Sequence, residues 1–185
     1  MMLKTKNFYL RPFQESDLNA LYDLIKNGEI FDVVSPDFSE EKAKIILDIL
    51  IESWKNLEFI KLAAFKNDSN EFVGYGGFEL LADLLDIKEL APENDLIKSS
   101  GDLEFGIRVH KKFSGKGYGS ELTAAICDWA FKEFPIKRIV ALTNLENVAP
   151  QEILRKTGFL YAGNINSQKY GKEMICFIKD AEQQQ

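Results

Sequence analysis

Ser114-Gly115-Lys116-Gly117-Tyr118-Gly119-Ser120-Glu121 stands between two segments of different periodicity. Before it, Leu103, Phe105, Ile107 and Val109 alternate with Glu104, Gly106, Arg108 and His110, the two-residue repeat of a strand with one wetter face. After it, from about Tyr118, Leu122, Ile126, Trp129 and Ala130 recur at helical spacing, and the helix stops before Pro135. Glycines at alternate positions let backbone N–H groups turn toward one point without Cβ obstruction, and the helix N-terminus adds partial positive charge. The segment therefore reads as a phosphate cradle at a strand-to-helix junction, with a plain tight turn as the alternative. A dinucleotide fingerprint wants Gly-x-Gly-x-x-Gly, and Ser120 occupies its sixth position. A nucleotide P-loop wants Gly at 110 and Ser or Thr at 117, where His110 and Gly117 stand.

Upstream, Phe8-Tyr9-Leu10-Arg11-Pro12-Phe13 suits an edge strand, and Ser16-Asp17 offers capping side chains for a helix from about Asp17 to Lys26. That helix carries Leu18, Leu21, Tyr22 and Ile25 on one face and stops at Asn27-Gly28. Ser39 caps a second helix with Ala43, Ile46, Leu47, Leu50 and Trp54 along one side. Phe59 to Phe65 and Phe72 to Leu81 form a hairpin around Lys66-Asn67-Asp68-Ser69-Asn70. Residues 82–101 fit either a long loop or an inserted short helix. Downstream come a strand from Ile136 to Thr143, a helix from Asn147 to Lys156 ending on Gly158, and strands from Phe159 to Ile165 and Tyr170 to Ile178. These seven strands and four helices form one α+β domain over residues 1–185, with an unstructured tail at 181–185.

Composition narrows the function. A chain of 185 residues with 45 % hydrophobic content has material for a real core, which excludes disorder over most of its length. The charge sum of -6 removes the positive field that attracts nucleic acid. Cys127 and Cys176 have no second Cys or His nearby, so neither a disulfide scaffold nor a metal site is expected, and the compartment reads as reducing. No stretch approaches the roughly 20 apolar residues of a membrane span, and the N-terminus lacks a signal-peptide core. The expectation is a cytoplasmic protein, monomer or homodimer, with no nucleic-acid, membrane or metal partner.

The glycine segment resembles the pyrophosphate motif of the GNAT N-acetyltransferases, which reads Arg or Gln, x, x, Gly, x, Gly or Ala; Ser114 to Gly119 match it in all but the first position. Leu10-Arg11-Pro12-Phe13 with Ser16-Asp17-Leu18, Leu103-Glu104-Phe105-Gly106-Ile107, and Asn147-Val148-Ala149-Pro150 with Leu154-Arg155-Lys156-Thr157-Gly158-Phe159 are similar to segments of the RimJ/RimL-like branch, in the same order. The resemblance implies a mixed, mostly antiparallel, splayed sheet and acetyl-CoA as co-substrate. Pantetheine would pair with backbone from Phe105 through Ile107 to Val109, with Gly106 easing a bulge. The pyrophosphate would rest on Ser114, Gly115, Lys116, Gly117, Tyr118 and Gly119. Asn147 would reach the pantetheine, or serve as a helix N-cap, or both.

Direct attack of an amine on a thioester needs a base, an oxyanion donor and a proton for the thiolate. Glu104 is the expected base, with an ordinary solvent-face strand residue as its plainer reading and Glu79 in reserve. The backbone N–H near Ile107 is the expected oxyanion donor. The family's usual acids, a Tyr or the Ser of Asn-x-x-Ser, fall on Leu154 and Pro150. Water, Tyr118 or Tyr161 would have to substitute, although these tyrosines also read as packing residues. His110 reads as a surface residue, and Phe31, Val33 and Trp54 as core or acceptor-lining side chains. The acceptor would be a protein N-terminal α-amine or a small amine, drawn by the acidic stretch from Asp83 to Asp95. The alternative is an acyl-CoA-binding protein with lost or weak transfer.

Overall fold

The computed structural model describes residues 3–27, 37–56, 59–80, 103–167 and 169–181. Eight strands are hydrogen-bonded in the order β1-β2-β3-β4-β5-β6-β8-β7. They are β1 (Leu3–Lys4), β2 (Phe8–Pro12), β3 (Phe59–Lys66), β4 (Phe72–Leu80), β5 (Leu103–Val109), β6 (Arg138–Asn144), β7 (Leu160–Ser167) and β8 (Lys172–Asp180). The described helices are α1 (Leu18–Asn27), α2 (Glu40–Asn56), α3 (Tyr118–Glu133) and α4 (Val148–Lys156). The expected α+β class holds, with one strand more than the seven expected. The addition is β1, whose two residues are too few to show a period and which pairs Leu3 with Leu10 on β2. The segment 82–101, together with Phe31, Val33 and the last residues of the tail, lies outside the described residues. Ala181, the first residue of the expected unstructured tail, is tied down by its N–H, which donates to Lys137 O.

The chain divides into two compact units. One comprises Met1–Gly77 with Ile107–Ile126. In it β2 runs antiparallel to β3, from Phe8↔Lys66 to Pro12↔Leu62. Phe13, Leu21, Ile25, Leu47, Ala63 and Phe65 bury one face of α1 and α2 against these strands, as the helical spacing of their apolar residues requires. Ser39 caps α2 as expected, its Oγ accepting from Lys42 N. Asp17 does supply a capping carboxylate, but for a 3₁₀ turn ahead of α1 rather than for α1 itself. A short 3₁₀ turn, Glu15–Asp17, precedes α1 with Gln14 at its N-cap. The buried Asp17 carboxylate accepts from Gln14 N and from both terminal nitrogens of Arg11 at 2.7 Å. Gly74 lies where β4 meets β5 so closely that a Cβ would stand 2.0 Å from Arg108 O, and its φ of +154° suits glycine.

The other unit comprises Phe78–Gly106 with Cys127–Gln185. Here β8 lies between β6 and β7, antiparallel to both. Val140, Ile165, Met174 and Cys176 pack into its core. Phe105 stacks between Phe78 and Phe159, and α4 closes on Gly158 at φ +86° with Phe159 N donating to Leu154 O. Pro150 sits in the first turn of α4, where a missing N–H costs nothing. β5 runs parallel to β6, with Leu103 opposite Ile139 and Glu104 opposite Val140.

Candidate functional site

The glycine segment follows a 3₁₀ turn, Lys111–Phe113, whose Phe113 is buried against the ring of Tyr118. Tyr118 in turn meets Phe8 edge-on at 4.8 Å between ring centroids, so the loop is pinned at both ends by aromatic packing. Tyr118 is thus a packing residue. Ser114 is extended, and Gly115 and Gly117 take φ of +77° and +76°. Left-handed φ at two positions separated by one residue turns the backbone sharply here, which glycine allows without a Cβ penalty. A Cβ on Gly115 or Gly117 would meet nothing within 4 Å, so conformation rather than crowding demands glycine, and open space remains beside the backbone.

Gly117 O accepts from Glu121 N and starts α3. Having no side chain, it offers no capping oxygen, so the N–H groups of the first turn, at Tyr118, Gly119 and Ser120, keep their capacity for an external acceptor. Lys116 adds a cation, held with Nζ 5.7 Å from the Phe113 ring centroid. These features fit a pyrophosphate. Glu121, in the same turn, faces away from the cradle and accepts from Thr5 Oγ1 at 2.6 Å and from Asn7 N and Nδ2. Burial works against its charge, but those hydrogen bonds hold the carboxyl below the usual range.

In the unit containing the start of β5, Glu104 is 3 % exposed, which corrects the wetter face expected at that position. Its Oε2 accepts from Lys169 Nζ at 2.7 Å and its Oε1 from the Tyr170 hydroxyl at 2.8 Å. The same Nζ lies 3.1 Å from Glu79 Oε2. Burial alone would lower the Lys169 pKa, yet the hydrogen bond and charge of Glu104, with Tyr170 and Glu79, push it above the ordinary lysine value. Burial and then the Glu104 charge push the Tyr170 phenol up to about 12, so it remains an O–H donor at neutral pH. Lys169 and Tyr170 occupy the β7–β8 turn. That turn is fixed by Gly171 N donating to Ser167 O, by Tyr170 N donating to the buried Ser167 Oγ, and by Gly171 at φ +63°.

Sequence reading missed Lys169 and Tyr170 as partners of Glu104. The Lys-Tyr-Gly run signals only a turn, and nothing local ties it to a carboxylate 65 residues earlier. Glu79, named as a reserve, is brought beside Glu104 through Lys169. Phe105 is buried, while Ile107 and Val109 are half-buried on the part of β5 belonging to the other unit. Asn147 takes the N-cap position of α4 but makes no side-chain capping bond, which corrects the capping alternative. Tyr161 is exposed and donates to Asn164 Oδ1. His110, expected at the surface, is largely buried: its Nδ1 accepts from Lys112 N and its Nε2 lies 3.2 Å from Asp23. Both cysteines are free and buried, and burial pushes each thiol up to about 12, which leaves neither a nucleophile. Among the described residues no three of His, Cys, Asp or Glu gather into a metal-binding group, and no helix is long and apolar enough to cross a membrane.

Comparison with known proteins places the chain in a family. Residues 7–160 match the acetyltransferase (GNAT) domain. The uncharacterized N-acetyltransferase YnaD of Bacillus subtilis is 25 % identical over 166 residues, covering 88 % of this chain and 85 % of its own. An acetyltransferase of Salmonella typhimurium, which modifies the N-terminal serine of a 50S ribosomal subunit protein, superposes with a TM-score of 0.77 at 17 % identity, covering 98 % of this chain and 100 % of its own. RimL, a ribosomal alpha-N-protein acetyltransferase solved in complex with coenzyme A, gives a TM-score of 0.77 at 17 % identity over 98 % of this chain and 99 % of its own. At these identities the two structures share a fold with this chain.

Proposed function

The chain belongs to the GNAT acetyltransferase family, and on that premise we propose that it is a transferase moving acetyl from acetyl-CoA to a primary amine, with a protein N-terminal α-amine as the first acceptor class to test. The observation that carries the reading is Glu104, a buried carboxylate on the stretch of β5 that pairs in parallel with β6. Acetyl-CoA supplies the activated thioester. Ser114 to Gly119 hold its pyrophosphate through backbone N–H groups and Lys116, and β5 from Phe105 through Ile107 to Val109 pairs with its pantetheine. We assign Asn147, whose side chain makes no capping bond, to the same arm.

Glu104 takes the proton from the attacking amine, and the N–H at Ile107 faces the developing oxyanion. Tyr170 orients Glu104 from Oε1. An α-amine, with a pKa near 7.7–8.0, asks less of that base than a lysine amine near 10.4. The RimL-like structural neighbours act on ribosomal-protein N-termini and supply the same acceptor class.

Calorimetric titration with acetyl-CoA tests the cofactor, and thiol release with a serine-initiated peptide and with spermidine tests the acceptor. Micromolar acetyl-CoA binding is expected, lost in Gly117→Trp, whose side chain fills the open cradle and cannot adopt the required φ. Glu104→Gln should cut turnover at neutral pH at least about a hundredfold, the usual scale of general-base catalysis, with acetyl-CoA affinity nearly unchanged. Absence of binding by the unmodified protein would refute the transferase reading, and equal turnover by Glu104→Gln would remove Glu104 from the chemistry.

A further inference from the structure

A general base must lie within hydrogen-bond reach of the nitrogen whose proton it takes, about 2.6–3.2 Å between heavy atoms. One nitrogen already meets that requirement at Glu104: Lys169 Nζ, at 2.7 Å from Oε2. It is a primary ammonium on an aliphatic stem, the same chemical group that an amine acceptor presents before deprotonation. A second carboxylate, Glu79, stands 3.1 Å from it, and the Tyr170 ring lies 5.0 Å from Nζ. Carboxylates on two sides and an aromatic face on a third make a favourable environment for a cation with N–H donors.

Lys169 is also placed to leave. Its side chain is a quarter exposed, while Glu104 is almost wholly buried. It projects from a hairpin turn, and four single bonds let Nζ swing out while the backbone stays pinned by Ser167 and Gly171.

We infer that Lys169 is an internal stand-in for the acceptor: its ammonium fills the place beside Glu104 and Glu79 into which a primary ammonium of the acceptor enters, and the acceptor binds by displacing it. This rests on Glu104 being the base proposed above. Lys169 then sets specificity. Its single positive charge bridges the two carboxylates until a competing ammonium arrives, and it lowers the apparent affinity of every acceptor by the fraction of time that it occupies the place. Neutral nucleophiles, and cations without N–H donors, are poor competitors for the same position.

The test uses n-propylammonium as probe and needs neither acetyl-CoA nor turnover. Lys169→Ala opens the place, so propylammonium chloride should raise that variant's melting temperature in a saturable way that tetramethylammonium chloride at equal concentration does not. The unmodified protein should show a much smaller shift. In the unmodified protein, acetic anhydride labelling read by mass spectrometry should find Lys169 slow among the lysines; saturating propylammonium, which itself consumes anhydride and so slows the exposed lysines alike, should raise the Lys169 rate at least several-fold relative to Lys132 and Lys156. If Lys169 only neutralises its neighbours, neither propylammonium effect occurs, and that result overturns the inference. Should Lys169→Ala fail to fold, the labelling of the unmodified protein decides alone. Loss of acetyl-CoA binding would refute the transferase reading without touching these readouts. Absence of both effects in a protein that still binds acetyl-CoA would refute the stand-in role alone.

Discussion

Glu104 shows how much one side chain depends on its neighbours. A buried carboxylate is tolerable only when paired and hydrogen-bonded, and Lys169 with Tyr170 satisfies one oxygen each. Tyr170 does more than fill a lone pair: by fixing Oε1 it sets the direction in which the remaining lone pairs point. A hydrogen bond to a charged group is worth about 1.5–3 kcal/mol, so Tyr170→Phe should lower kcat by roughly tenfold to a hundredfold. Steady-state kinetics should find KM for acetyl-CoA unchanged, because no cradle residue is altered. An unchanged kcat would show that Glu104 keeps its aim without the phenol. Tyr118 packs its ring edge-on against Phe8, and Tyr161 donates to Asn164 Oδ1 at the surface.

The start of α3 combines an open glycine turn with a tertiary clasp. A Cβ on Gly115 or Gly117 would meet nothing within 4 Å, while Glu121 in the first turn clasps Thr5 and Asn7 and anchors the segment leading into β2. A carboxylate near a helix N-terminus is favoured by the dipole, and Glu121 takes that advantage with its oxygens engaged elsewhere. Because hydrogen bonding depresses its folded pKa below the ordinary 4.5, its contribution is fully present above that value and is lost as pH falls through the folded pKa. Glu121→Gln should therefore cost about 1–3 kcal/mol in urea denaturation at pH 7. The difference from the unmodified protein should shrink steadily in acid below pH 4.5. A difference that does not change with pH would show that the charge of Glu121 contributes nothing. The cradle itself should be untouched, so acetyl-CoA affinity measured at pH 7 is expected to survive the substitution.

At the scale of the whole chain, ligand binding and stability are linked. A ligand that binds only the folded protein stabilises it by about 2.7 kcal/mol at a hundred times its Kd. For a chain of this size that corresponds to a melting temperature raised by about 5–11 °C. Scanning calorimetry with acetyl-CoA should show this shift, and Gly117→Trp should not. A rise shared by both would place the binding elsewhere than the cradle. Most elements were legible beforehand because their information is local: alternation in Leu103–Val109, three- and four-residue spacing in α1 to α4, and glycines where φ must be positive. Boundaries slipped where local signals compete, as at Ser16-Asp17, whose polar side chains read as helix caps while Asp17 pairs with Arg11.

What the amino-acid sequence determined by itself is the class of fold and the glycine turn before α3, since each rests on periodicity or turn chemistry within a few neighbouring residues, while the family followed from resembling motifs in the same order along the chain. The surroundings of Glu104 were decided only by tertiary structure. Glu79 comes from β4, Glu104 from β5, and Lys169 with Tyr170 from a hairpin whose second strand inserts between β6 and β7. Strand order and register are set by how whole faces pack, so which distant charges meet is a property of the assembled sheet and leaves no trace in local sequence.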